Sequence, residues 1–128
     1  MTGVFTVLCI QRNNLISDVL SVAVHNSGMF PVIVSDMDTA VSTYKTEKPD
    51  VIVMDFTPGN DEDYSFISEV RRKDFNTPII ALSMEARARA DASTREMCIS
   101  CITQPFTVTE ILKQLEDVRE CKETDTLC

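Results

Sequence analysis

The stretch Lys48-Pro49-Asp50-Val51-Ile52-Val53-Met54-Asp55 decides the fold. Four apolar residues in a row follow a Lys-Pro-Asp turn and stop at a carboxylate. A run this short, apolar at every position, suits a strand buried on both faces of a parallel sheet. A strand with one wet face would alternate apolar and polar residues. Working outward, 4–10 (V-F-T-V-L-C-I) and 79–82 (I-I-A-L) have the same character. Residues 31–35 and 100–102 are weaker strand candidates, expected nearer the sheet edges.

Helical spacing fills the gaps. Leu15, Val19, Val22 and Ala23 form one predicted apolar face. Tyr64, Ile67 and Val70 form a second, widened by Phe66, and Ile111, Leu112, Leu115 and Val118 form a third. The last helix opens with Thr107 as N-cap and Glu110 three residues later, the capping-box pattern. Segments 37–46 and 85–96 occupy the remaining gaps. The order is strand then helix, five times over, which implies an α/β doubly wound parallel sheet with helices on both faces. In such a sheet chemistry belongs at the carboxyl ends of the strands. The strand ends that matter are Gln11-Arg12, Asp55 and Ser83.

The chain has 128 residues, 44% of them hydrophobic and 25% charged, which suits one globular domain with a real core. We assign 1–119 to that domain and 120–128, where apolar periodicity fades, to a flexible tail. No apolar run reaches membrane-span length and the N-terminus lacks a signal-peptide layout, so a cytoplasmic location without membrane contact is expected. A net charge of −8 argues against nucleic-acid backbone binding and favours protein contacts. Five cysteines are present: Cys9 in an apolar run, the Cys98-x-x-Cys101 pair, Cys121 and Cys128. The plain reading is unpaired thiols in a reducing compartment, and the sharper one a metal site or redox switch. The only histidine, His25, is remote in sequence from these cysteines.

Several landmarks in order resemble the receiver domain of two-component response regulators. Residues 48–55 look like its third strand, which ends in the phosphorylated aspartate. Thr77-Pro78-Ile79-Ile80-Ala81-Leu82-Ser83 looks like its fourth strand and switch hydroxyl. Thr103-Gln104-Pro105-Phe106-Thr107 looks like its fifth-strand exit, usually Lys-Pro-Phe. The resemblance spans about residues 4–119. It implies the CheY-like, flavodoxin-type strand order 2-1-3-4-5 with five helices, and a role in phosphorelay signal transduction.

The resemblance also shows where this chain departs. A working receiver holds Mg²⁺ with an acidic pair after the first strand and steadies the phosphoryl group with a hydroxyl and a lysine. Here the acidic pair is Gln11 and Arg12, a neutral amide and a cation. The lysine position is Gln104, and the aromatic switch position is Cys101. Pro58 follows Asp55 by three residues instead of four. Met97 and Asp63 stand where the family has glycines. The phospho-acceptor position Asp55, the switch hydroxyl Ser83 and the carbonyl of Thr57 remain, as does a Gln104-Pro105 bond at a position where the family has a cis peptide. No cofactor is therefore expected, and Mg²⁺ binding is expected to be weak or absent.

A sharper expectation follows for Arg12. Its guanidinium projects toward Asp55 and pairs with it, standing where the metal would stand; the plain alternative is that it points to solvent. The acids Asp61, Glu62 and Asp63 read as a solvated run, the alternative being that they supply carboxylates beside Asp55. The expected function is a stand-alone atypical receiver, not an enzyme, that works by phosphorylation-independent protein contact. The alternative is a phospho-acceptor served at Asp55 by a histidine kinase. The partner is a protein, such as that kinase or a downstream signalling protein. Segment 85–96, basic through Arg87, Arg89 and Arg95, is a candidate docking face. The cluster Arg71-Arg72-Lys73 reads as a helix end whose cations suit the dipole. A flavodoxin-like cofactor enzyme is disfavoured, because Gln11-Arg12-Asn13-Asn14 has no glycine, serine or threonine to cradle a phosphate.

Overall fold

All five apolar runs are strands in the computed structural model, which describes residues 4–12, 14–74, 76–85, 99–103 and 106–124. They are β1 (Thr6–Ile10), β2 (Phe30–Val34), β3 (Val51–Asp55), β4 (Ile79–Ser83) and β5 (Ile99–Thr103). The described helices are α1 (Asn14–Asn26), α2 (Met37–Glu47), α3 (Asp61–Lys73) and α4 (Val108–Thr124). The helix expected over 85–96 falls largely outside the described residues. Every strand pairing is parallel, in the order β2-β1-β3-β4-β5, so the two weaker candidates are indeed the edges.

The strands sort their side chains by strict alternation into two cores. Leu8, Ile10, Ile52, Met54, Ile79 and Ala81 face α2 and α3, packing with Met37, Phe66, Ile67 and Val70. Val7, Cys9, Val51, Val53, Ile80 and Leu82 face the other way, against Leu20 and Val24 of α1 and Ile111 and Leu115 of α4. A slip of one residue would exchange the two sets, so the pleat itself fixes the register. Burial in the second core pushes the Cys9 thiol up to about 12, leaving it a small apolar filler.

One helix face differs from expectation. On α1, Val19 and Val22 are 47% and 60% exposed, whereas Leu20 and Val24 are fully buried. The segment is apolar on most of its circumference, so spacing alone did not single out the inward stripe. The other faces hold: Phe66, Ile67 and Val70 of α3 and Ile111 and Leu115 of α4 are buried. The capping box of α4 also forms. Glu110 N–H donates to Thr107 Oγ1 (3.2 Å) and Thr107 N–H to Glu110 Oε1 (2.9 Å). That helix continues through Thr124, past the point where apolar periodicity fades. Among the described residues no helix is long and apolar enough to cross a membrane.

Candidate functional site

Asp55 closes β3 at the carboxyl end of the sheet, half-buried, beside the loops that leave β1 and β4. The parallel pairing of β1 with β3 brings Arg12 next to it. The backbone N–H of Arg12 donates to Asp55 Oδ2 at 2.7 Å. The guanidinium goes elsewhere: Arg12 Nη2 donates to Asp63 Oδ1 in a short ion pair, with Glu62 Oε1 at 3.9 Å. The expected side-chain pairing of Arg12 with Asp55 is thus replaced by a main-chain hydrogen bond to Asp55 and a side-chain pair with Asp63.

The reason lies in the loop between β3 and α3. Thr57-Pro58-Gly59-Asn60 is a tight turn closed by Asn60 N–H to the Thr57 carbonyl (3.0 Å), with Gly59 at φ +87°. Proline second and a positive-φ glycine third are what a type II turn requires. The turn leaves Asn60 as N-cap of α3, its Oδ1 accepting from Asp63 N–H at 3.0 Å. Asp63 therefore sits in the first helical turn, where a carboxylate suits the dipole. Its side chain is 0% exposed. Oδ2 accepts from Thr57 N–H at 2.9 Å while Oδ1 takes the Arg12 guanidinium. Asp63 is no solvated loop acid, contrary to expectation. It ties the β1–α1 loop to the β3–α3 loop. The Asn60-x-x-Asp63 pattern was the signal available in the sequence, a cap with an acid three residues on.

The other expected positions fall around this pair. Gln11 is buried; its Nε2 donates to the Ile10 carbonyl at 3.3 Å, and its Oε1 accepts no hydrogen bond among the described residues. Ser83 is buried at the end of β4, its Oγ accepting from Glu85 N–H at 3.1 Å, so it braces the following loop. Thr57 is exposed, and Cys101 is half-buried against the α2–α3 core. Gln104, Pro105, Met97 and residues 86–96 lie outside the described residues. Cys9 and Cys101 form no disulfide, whereas Cys121 is disulfide-bonded, a departure from the expected set of unpaired thiols. Among the described residues no group of three or more metal-ligating side chains converges.

A cleft of about 250 Å³ opens between Asp55 and Ser83, with apolar walls from Ile16, Leu82, Met84 and Phe106; Arg12 and Thr57 also line it. Burial pushes the Asp55 carboxyl up from its ordinary value, against the Arg12 N–H and the Arg12 charge, which pull it down. The Arg12 guanidinium is raised, chiefly by its hydrogen bond to Asp63. A larger cleft, of about 480 Å³, lies at the opposite end of the sheet, near Lys45, Lys48 and Lys73. Those lysines cluster at the C-terminal ends of α2 and α3, where cations answer the helix dipoles. The acids beside them are engaged by backbone: Asp50 accepts from Thr6 N–H, and Asp74 from Asn76 N–H and Thr77 N–H.

The family model described as the response regulator receiver domain matches residues 7–116. No curated protein matches the chain. Among solved structures, the chain is similar to the receiver domain of the Francisella response regulator 1452. The identity is 22% and the TM-score 0.79, over 91% of this chain and 98% of that one. It is similar to the chemotaxis response regulator CheY4 of Vibrio cholerae at 21% identity and TM-score 0.79, over 91% of this chain and 99% of that one. A response regulator from Thermotoga maritima gives 17% identity and TM-score 0.78, over 91% and 98% of the two chains. Identities this low speak to the fold alone.

Proposed function

The chain belongs to the response regulator receiver domain family, and from that premise we propose that it is an atypical receiver that signals in the cytoplasm by protein contact without being phosphorylated. Receiver domains are signalling modules that work through other proteins. What sets this one apart is carried by one observation: the Arg12 guanidinium is seated on the fully buried carboxylate of Asp63.

That pair supports the reading in two ways. It links the loops on either side of Asp55, so one arrangement of those loops is held by a permanent internal cation. A phosphoryl group and its metal are not needed to hold it. It also occupies the groups a metal would want. A divalent ion fits these residues poorly. Arg12 is a cation in an acidic-pair position, both oxygens of Asp63 are engaged, one by Arg12 and one by Thr57 N–H, and Gln11 offers only a neutral amide. Without a metal and a lysine, the charge that builds on a transferring phosphoryl group loses its two usual counter-charges. Cys101 supports the reading further, since it lacks the bulk of a switch aromatic.

The second reading, a phospho-acceptor served by a histidine kinase, has one observation in its favour. Asp55 and Ser83 line the same cleft. The experiment that separates the two is incubation with an acyl phosphate and Mg²⁺, followed by intact-mass measurement. No phosphoryl mass gain on folded protein is expected. A stoichiometric gain that disappears in Asp55→Asn would establish the second reading instead.

A further inference from the structure

We infer that the cleft beside Asp55 is a receptor for one organic cation, the ammonium or guanidinium end of a lysine or arginine side chain presented by a partner protein. The inference rests on the reading of this domain as one that works through protein contact without phosphate. It adds the chemistry by which a partner would be recognised.

The cleft has the composition such a side chain needs. Its walls are the apolar groups of Ile16, Leu82, Met84 and Phe106. Such walls suit the methylene stem of lysine or arginine, whose charged heads require a separate polar anchor. A phenyl ring and a thioether are soft surfaces for a cation, and Phe106 offers a π-face. Met84 is 73% exposed, an unbranched side chain at the rim of the cleft. At about 250 Å³ the cleft has room for roughly eight waters at about 30 Å³ each, ample for an alkylammonium chain.

The anchor is Asp55. One of its oxygens accepts the Arg12 N–H, and the other takes no hydrogen bond from the described residues. Ser83, buried in the same cleft, uses its oxygen once, toward Glu85 N–H, and keeps a second lone pair for a donor. Among the described residues Arg12 is the one cation lining the cleft, and its guanidinium is turned to Asp63, with Glu62 at 3.9 Å, which leaves the Asp55 carboxylate short of an ion pair there. An entering monocation would make up that deficit and give the half-buried Asp55 a partner.

The same features select against other ligands. An anion would meet the Asp55 carboxylate, with no cation among the described residues of the cleft left unpaired to balance it. A divalent metal would find one available carboxylate among apolar walls, where it needs six or more oxygens. A single positive head on an apolar stem satisfies both the carboxylate and the walls. The chain's net charge of −8 would favour the approach of a basic partner.

The test uses n-butylammonium and n-butylguanidinium as probes, with 1-pentanol as a neutral control, and follows the methyl signals of Ile16, Leu82 and Met84 by NMR. Both cations are expected to give saturable shifts in the wild-type protein with Kd of about 10 mM, the range open to so small a ligand. The affinity should fall several-fold in Asp55→Asn and on adding salt, and pentanol should give no saturable shift. Absence of saturation by about 100 mM, unchanged affinity in folded Asp55→Asn, or equal binding of pentanol would overturn the proposal. Should Asp55→Asn fail to fold, the pentanol and salt arms still decide. The acyl-phosphate experiment on the same preparation keeps the two readings apart. Phosphorylation of Asp55 would overturn the reading on which this proposal rests. No phosphorylation together with no cation binding would overturn the cation receptor alone.

Discussion

The two ends of α3 are each held by one buried charge, and they do different things. At the N-terminal end Asp63 accepts from the Arg12 guanidinium and from Thr57 N–H. At the C-terminal end Arg71 donates through Nη1 to the carbonyls of Asp74 (3.1 Å) and Thr77 (2.7 Å). Both charges have the sign the helix dipole prefers. These two hydrogen bonds of Arg71 reach only three and six residues along the chain and shape the turn into β4. That of Asp63 to Arg12 reaches a residue 51 positions away and ties together the two loops beside Asp55. A buried charge met by its own neighbouring backbone serves the fold. One that joins two strand-end loops decides what the site between them can do.

The largest expected effect is at the end that serves the fold. Arg71→Ala removes two charge-assisted hydrogen bonds and a nearly buried side chain, and should cost about 3–4 kcal/mol in urea unfolding. It should leave the Asp55 cleft unchanged by NMR. A shift at Arg12 or Asp55 in that variant would break the contrast between the ends.

Arg12→Ala comes next. It leaves the carboxylate of Asp63 buried without its cation. Because the Arg12 side chain is 38% exposed, the cost should be about 2–3 kcal/mol, below the range for a fully buried pair. In a double-mutant cycle with Asp63→Ala the coupling should exceed about 1 kcal/mol. A coupling near zero would mean that the two loops are held by other contacts.

The smallest effect is at Asp55. Burial raises its folded pKa above 3.8, so the native state binds more protons than the unfolded state between 3.8 and the raised value. Stability from this group is therefore highest below that window and falls as pH rises through it. Asp55→Asn removes the penalty and keeps an oxygen for Arg12 N–H. At neutral pH the variant should be at least as stable as the wild type, by less than about 1 kcal/mol. The difference should close as pH falls toward 3.8. Carboxylates titrating elsewhere cancel, because both proteins carry them. A variant less stable at pH 7 than at pH 4, relative to wild type, would show that ionised Asp55 contributes to the fold.

Much of this was legible in the sequence, for reasons that mark its limits. The strands could be read because burial on both faces demands apolar runs, and the α4 capping box because its two side chains answer each other locally. The inward face of α1 could not, because valines and leucines cover most of that helix and only tertiary packing picks Leu20 and Val24. At the site, an Arg12 turned to a carboxylate within the chain was expected, but with Asp55 as its partner. The true partner stood in a run of three acids, Asp61, Glu62 and Asp63; the Asn60-x-x-Asp63 spacing marks a helix start, but it is the turn at Pro58-Gly59 together with the Asn60 cap that makes Asp63 the buried one.

The central claim is that the Arg12–Asp63 pair stands in place of metal chemistry beside Asp55. Its most direct test is a titration with Mn²⁺, a paramagnetic substitute for Mg²⁺, read by line broadening of the amides of Arg12, Asp55 and Thr57. The account predicts no selective broadening in the wild-type protein, and its appearance when the pair is replaced by Arg12→Asp with Asp63→Gly. Selective, saturable broadening at those amides in the wild type would contradict it.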